Sequence, residues 1–375
     1  MTQGRTIWLD QLTPAEHRAL DPGLPVNLAR RPDVLVVGGG MLGVATAAAC
    51  HAAGAANVLL IEAGRLACGA TGGAAGLLNP EVHQGNDPQP LTDLGRIGLT
   101  RWHQLEATEN IGLQEIDWLG LAPHPPAFLA DPSPAVQWLS VTEVQRRLPG
   151  LTPPTSGALI PRQARINPVR ALVRLAARVP QIATGCPATA VTVKADRIHS
   201  VTTAAGEIQP GAVVFATGLP PRLPGLPLRL PATAVKGHMA VTEPVPLTIP
   251  GVVTQVGIQI EDHRLLLGGT LDPDDASPEV NPEATERLRA AMARALPALD
   301  SVRLTHQWCC WRPRHPDGLA VIDRVPGLTN TWVTSGHYRT GILMAPAAAD
   351  IIAQWLASGQ SPGHLRPWQI QDRFN

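Results

Sequence analysis

Val34-Leu35-Val36-Val37-Gly38-Gly39-Gly40-Met41-Leu42-Gly43 is the stretch from which the chain is best read. Four apolar residues make a short strand of the kind buried in a parallel sheet. The glycines behind it satisfy G-x-G-x-x-G. Gly38 permits a tight turn, Gly40 lets a pyrophosphate approach the backbone, and Gly43 lets helix touch strand. A helix of small residues follows (Ala45, Ala47, Ala48, Ala49, Ala52, Ala53), then a second apolar run over 58–61 that ends at Glu62. An acid there, about 20 residues past the glycines, suits a ribose hydroxyl. Together these parts predict a dinucleotide site. The alternative is a glycine-rich turn with Glu62 as its local cap.

The fingerprint does not separate one dinucleotide from another, but the stretches around it narrow the choice. Gly69-Ala70-Thr71-Gly72-Gly73-Ala74-Ala75-Gly76 lets backbone pass close to an extended cofactor. Ala216-Thr217-Gly218 offers a second close approach at a strand end. Far along the chain, a strand over 331–334 meets Ser335-Gly336-His337-Tyr338-Arg339-Thr340-Gly341, then Ile342-Leu343-Met344-Ala345-Pro346 and a helix over 347–356. A glycine-rich turn at a helix start aims backbone N–H groups and the positive dipole end at one spot. That spot suits an anion such as a reduced flavin ring.

Composition excludes several classes. Lys+Arg and Asp+Glu are both 30, which argues against a polyanionic partner. One Tyr and three Phe make poor stacking platforms for bases. Five cysteines without a CxxC pair predict reduced thiols and a cytoplasmic protein. No uninterrupted apolar run is long enough to span a bilayer. Arg30-Arg31 superficially resembles a twin-arginine export signal, but the apolar residues after it read as strand and nucleotide-binding helix. The prolines, 38 in all, cluster in stretches such as Pro123-His124-Pro125-Pro126 and predict rigid loops.

Residues 1–32 form an extension, with a capping box at Thr13-Pro14-Ala15-Glu16 that predicts a helix to about residue 20 packed on the domain surface. Further helices are predicted over 91–108, after Ser140, over 168–178 and over 282–296. Short strands are predicted over 188–216, near the end over 319–322 and, as a second group in a different pattern, over 238–242, 252–256, 264–267 and 302–306. The second group predicts an antiparallel sheet with a crossing helix. The fold class is therefore α/β: a discontinuous Rossmann-type nucleotide domain (33–90, 150–230 and 310–375) with an inserted α+β substrate domain on an antiparallel sheet (91–149 and 231–309).

The order of motifs resembles the glycine oxidase and D-amino acid oxidase family of FAD enzymes, and within it the glycine oxidase branch linked to thiamine biosynthesis. The resemblance spans about 33–374. It is carried by Val36 to Gly40 with Glu62, Gly76-Leu77-Leu78-Asn79-Pro80-Glu81, Val235-Lys236-Gly237-His238-Met239, Leu266-Leu267-Gly268-Gly269-Thr270, Trp311-Arg312-Pro313-Arg314-His315-Pro316-Asp317-Gly318, the loop Gly336 to Pro346, and the closing Asp372-Arg373-Phe374.

The resemblance implies FAD as cofactor, held by Gly38, Gly40, Met41, Leu42, Gly43, Glu62, Ala63, Thr71, Gly72, Ala74, Ala75, Gly76, Leu77, Val191, Thr217, Gly218, Cys310 and Gly336 to Ile342. It implies oxidation of the C–N bond of a small amino acid or N-substituted glycine. A hydride passes to flavin N5, the imine hydrolyses, and O2 becomes H2O2. Such chemistry needs orientation more than an acid–base pair. The alternatives are a flavin dehydrogenase using another acceptor, and a non-catalytic flavin-fold binding protein.

A planar guanidinium binds a carboxylate bidentately. Arg312 stands where the family has its clamp, and Arg339 lies in the loop expected near flavin and substrate, with His337 and Tyr338 as further catalytic candidates. Related enzymes often use a tyrosine of the inserted domain. Here the only Tyr is Tyr338, leaving Gln255, Gln259 or His238 as substitutes. Cys310 falls where the sarcosine oxidase branch carries the cysteine joined to FAD, although non-covalent FAD is the favoured expectation. His306, Cys309, Cys310 and His315 match no common zinc spacing, so no metal is expected.

Overall fold

The computed structural model describes residues 2–83, 87–125, 136–371 and 373–374. Pro126 and Asp372, both named above, lie outside the described residues.

The first apolar run forms the strand Val34–Val37, at the middle of a six-stranded sheet. The order is Val321–Arg324, Thr331–Ser335, Ala212–Gly218, Val34–Val37, Val58–Ile61 and Gln181–Ala183. All neighbours run parallel except the antiparallel edge strand Val321–Arg324. Alternate residues bury on opposite faces. Val34, Val36, Val58 and Leu60 pack with Val44, Ala47, Ala48 and Ile352 of helices Met41–Ala52 and Gly341–Ser358. Leu35, Val37, Leu59 and Ile61 pack on the other side against a small sheet, Ala188–Lys194, Arg197–Thr203 and Gly206–Ile208, through Val191, Ile198 and Ile208. Both faces are covered, which is why these strands read as continuous apolar runs.

The second sheet has ten strands. Its centre is the pair Thr233–Thr242 and Leu304–Arg314, and helix Pro282–Ala295 packs Met292 on Ala240 and Leu267. It is antiparallel apart from one parallel pair, Val252–Val253 with Gln114–Leu121. The strand expected over 302–306 runs on through Arg314, across the expected boundary at 309/310. Gly157–Arg165, expected in the nucleotide part, pairs here with Gln114–Leu121 and Leu77–Leu78.

The caps are where the sequence put them. Thr13 and Ser140 each complete a capping box, and Asn167 caps Pro168–Ala176. The last long helix differs. It begins at Gly341 and carries Pro346 inside. Proline cannot donate to the carbonyl four residues back, and that carbonyl, on Ile342, accepts instead from Trp102 Nε1 at 2.9 Å. Gly341–Ser358 is long and apolar enough to cross a membrane, yet most of it is buried inside the protein.

Candidate active site

Four parallel strands end side by side, and their C-terminal turns supply Gly38, Glu62, Thr217-Gly218 and Gly336. Ligands of open α/β sheets bind at such ends. A cavity of about 570 Å³ opens there, a size typical of cofactor and substrate sites. Its walls come from the glycine turn and helix start Gly38–Leu42, Cys68 to Thr71 with Gly73 to Leu77, Ala216–Gly218, the strand residues Cys310 and Arg312, and His337 to Arg339 with Gly341 to Leu343.

The glycines divide by task. A Cβ on Gly43 would stand 1.8 Å from Gly38 O, and one on Gly38 (φ +120) would stand 2.5 Å from Ala216 O. These two permit packing. A Cβ on Gly40 would meet only Thr71 Oγ1, at 3.4 Å, and would otherwise stand in the cavity. That open approach, at the start of a 12-residue helix, is what a pyrophosphate requires. Thr71 Oγ1 accepts from Met41 N–H at 3.0 Å and ties the second wall to the helix start.

Glu62 lines the cavity and is also a cap. Its carboxylate accepts from Gly39 N–H at 2.6 Å and from Gly64 N–H at 2.8 Å. A carboxylate has about four acceptor positions, so a ribose hydroxyl still finds one.

Cys310 Sγ donates to Gly73 O at 3.4 Å, and burial pushes the thiol pKa up. Cys309 faces the other side of the strand, toward Glu279 O. His306 bonds Asp10, and His315 bonds Pro231 O and Ser335. The four residues weighed as metal ligands therefore do not converge. Among the described residues no group of three or more His, Cys, Asp and Glu is placed to hold an ion.

Arg312 crosses the open backbone of Gly237 and Gly269. A Cβ on either would collide with its guanidinium. Its Nη1 donates to Thr270 O at 2.9 Å, while the residue lines the cavity. Arg339 also lines the cavity and pairs with Asp87 at 2.8 Å. The Tyr338 ring has the guanidinium groups of Arg314 and Arg339 each 5.5 Å from its centroid. His337 is buried, with Nε2 2.7 Å from Thr334 Oγ1. Desolvation, with a contribution from the nearby His315, lowers its pKa to about 3.

The expected residues do not all meet. Gly38, Gly40, Met41, Leu42, Glu62, Thr71, Ala74 to Leu77, Thr217, Gly218, Cys310, Arg312, His337 to Arg339, Gly341 and Ile342 line one cavity. Gly43, Ala63, Gly72, Val191, Gly336 and Thr340 do not line it. Val191 is core beneath the sheet, and Gly336 makes room for the His315 ring. Neither His238 nor Gln255 lines it. His238 is buried against Asp272 (2.8 Å) and accepts from Asn281 N–H, and Gln255 is exposed in a turn. Gln259 bonds the backbone of Leu247 and Ile249. Cys68, Val82 and Leu271 line the cavity without any motif having marked them.

The residues present fit a flavin dinucleotide. The pyrophosphate approach is open at Gly40, the acid is at the second strand end, and two lining side chains, Asn79 (Nδ2) and His337 (Nδ1), keep a buried polar atom without a protein partner.

Comparison with known proteins agrees. The profile of the FAD dependent oxidoreductase (DAO) family matches residues 33–355. The glycine oxidase of Pseudomonas aeruginosa is 29% identical over 356 residues, 88% of this chain and 95% of that enzyme. The crystal structure of glycine oxidase from Geobacillus kaustophilus superposes with a TM-score of 0.82 at 24% identity, over 92% of this chain and all of that one. L-proline dehydrogenase from P. horikoshii shares the fold, with a TM-score of 0.81 at 18% identity, over 91% of this chain and 97% of that one. The chain belongs to the FAD dependent oxidoreductase (DAO) family and is an FAD-dependent enzyme.

Proposed function

We propose that the protein oxidises the C–N bond of a small amino acid or N-substituted glycine, with O2 as the final acceptor. Bound FAD would supply the hydride acceptor at N5 and return the electrons to O2 as H2O2. In the substrate, the C–H bond breaks, the neutral amine lone pair forms C=N, and water hydrolyses the imine.

The observation that carries this reading is Arg312. Its guanidinium reaches the cavity over two glycines, with one donor held by Thr270 O. A fixed fork of this kind selects a carboxylate and sets its angle. Catalysis here is then largely orientation. Arg339, steadied by Asp87, adds positive potential at the same wall. His337 stays uncharged at neutral pH and so adds no further positive charge at that wall.

Residues proposed to hold FAD are Gly38 to Leu42 at the pyrophosphate, Glu62 at the ribose, and Cys68 to Leu77 with His337 to Ile342 along the ring. Attachment is non-covalent in this reading, because the Cys310 thiol is held protonated by its burial. A panel of amino acids, scored together for peroxide and for flavin bleaching, tests the function. Turnover of carboxylate-bearing amines that disappears in Arg312→Ala, with flavin retained, supports it. Unchanged kinetics in that variant contradict it.

A further inference from the structure

Residues 2–20 lie ahead of the region matched by the family profile, which begins at residue 33. They also touch the cofactor wall at three places and the residue Leu66 just ahead of it. Thr2 N–H donates to Cys68 O at 3.1 Å, and Thr2 Oγ1 donates to Gly69 O at 2.8 Å. Trp8, fully buried, donates its indole N–H to Ala74 O at 2.8 Å. Leu20 O accepts from Leu66 N–H at 2.8 Å. Between these points, Gln3 and Gly4 pair as an edge strand with Cys309 and Trp308. The segment is anchored independently of the wall. Asp10 bonds His306, and the carbonyls of Trp8 and Gln11 accept from Asn167 and Arg170.

We propose that residues 2–20 are a strap that sets the backbone of the flavin wall, so that strap docking and FAD binding are coupled. In a trans peptide the carbonyl and the next N–H point in opposite directions. Holding the carbonyls of Cys68, Gly69 and Ala74 toward the strap turns the N–H groups of Gly69, Ala70 and Ala75 the other way. Those three residues line the cavity. The strap thereby orients donors for an anionic cofactor without touching it. Thr2 and Trp8 are positioning residues. By linkage, whatever the strap adds to FAD affinity, FAD adds to strap docking.

Two full-length variants test this. Gly4 has φ +90, and a Cβ there would stand 2.4 Å from Gln307 O, so Gly4→Ala displaces the edge strand. Trp8→Phe keeps the ring packing and deletes the indole donor. FAD titrated into deflavinated protein, followed by quenching of its fluorescence, should show a Kd raised about fivefold or more in each. Hydrogen exchange in the unaltered chain supplies a readout that needs no variant. Amides of residues 2–12 should exchange at least about fivefold faster without FAD than with it. Equal Kd values in Trp8→Phe and the unaltered chain, or equal exchange with and without FAD, overturn the proposal. Since neither readout involves substrate, the strap can fail while the proposed oxidation stands, and the reverse.

Discussion

Trp102 donates its indole N–H to the carbonyl of Ile342 at 2.9 Å, the carbonyl that Pro346 leaves without a helical donor. One side chain on helix Gln89–Glu109 thus lets helix Gly341–Ser358 pass through a proline and still start at the cavity.

Trp102→Phe should therefore cost about 1–3 kcal/mol, because it strands a buried acceptor. Pro346→Ala restores a backbone donor, so the double variant should cost less than Trp102→Phe alone. Thermal unfolding of the single and double variants measures both. Strict additivity would refute the pairing.

This same proline explains what the sequence hid. A proline six residues into the helix reads as a helix start, and the partner that makes it tolerable lies more than 200 residues away, at Trp102. By contrast, Val34 to Glu62 was legible because local rules determine it: apolar strands, glycines at close approaches, and an acid at a strand end. The caps at Thr13 and Ser140 were legible for the same reason. The long strand Leu304–Arg314 was hidden by its polar and cysteine residues, whose sides are set by partners on two different elements. His238 and Gln255 show the limit of motif reasoning. Residue type suggested ligands, whereas pairing turned His238 toward Asp272 and left Gln255 exposed.

Glycine substitutions should separate packing from ligand approach. Gly43→Ala places a Cβ 1.8 Å from Gly38 O and should destabilise the fold itself. Gly40→Ala has room toward the cavity, so deflavinated protein should melt nearly as before while FAD binds about tenfold or more weaker. Melting curves and FAD titrations of the two variants check the contrast. Equal effects on both readouts would contradict it.

Acid precipitation should leave the flavin colour in the supernatant, since burial holds the Cys310 thiol protonated against Gly73 O. Cys310→Ala should still purify yellow. Flavin retained in the acid pellet of the unaltered chain, and absent from that of the variant, would reverse this reading.

Stability should fall as the pH drops below neutrality. Unfolded, His337 takes up a proton near the usual value of about 6.5; folded, it does so only near 3, because it is desolvated. Between those values the unfolded state binds more protons, so the stabilisation is complete above the unfolded value and is lost as pH falls. The slope approaches about 1.4 kcal/mol per pH unit for this histidine. His315, whose pKa is also lowered by burial, adds in the same direction. Denaturant midpoints measured between about pH 7 and pH 5 should decline. His337→Asn should flatten the decline, and an unchanged slope in that variant would count against the burial argument.

The central claim is that a carboxylate-bearing amine is oriented by Arg312 for oxidation by bound FAD. Its most direct test is anaerobic mixing of the flavin-loaded protein with small amino acids, N-substituted glycines and matched amines lacking the carboxylate. The account predicts that at least one carboxylate-bearing amine bleaches the flavin, that air restores the colour with release of peroxide, and that Arg312→Ala slows bleaching about a hundredfold or more. Bleaching that is equally fast with amines lacking a carboxylate, or indifferent to Arg312→Ala, would contradict it.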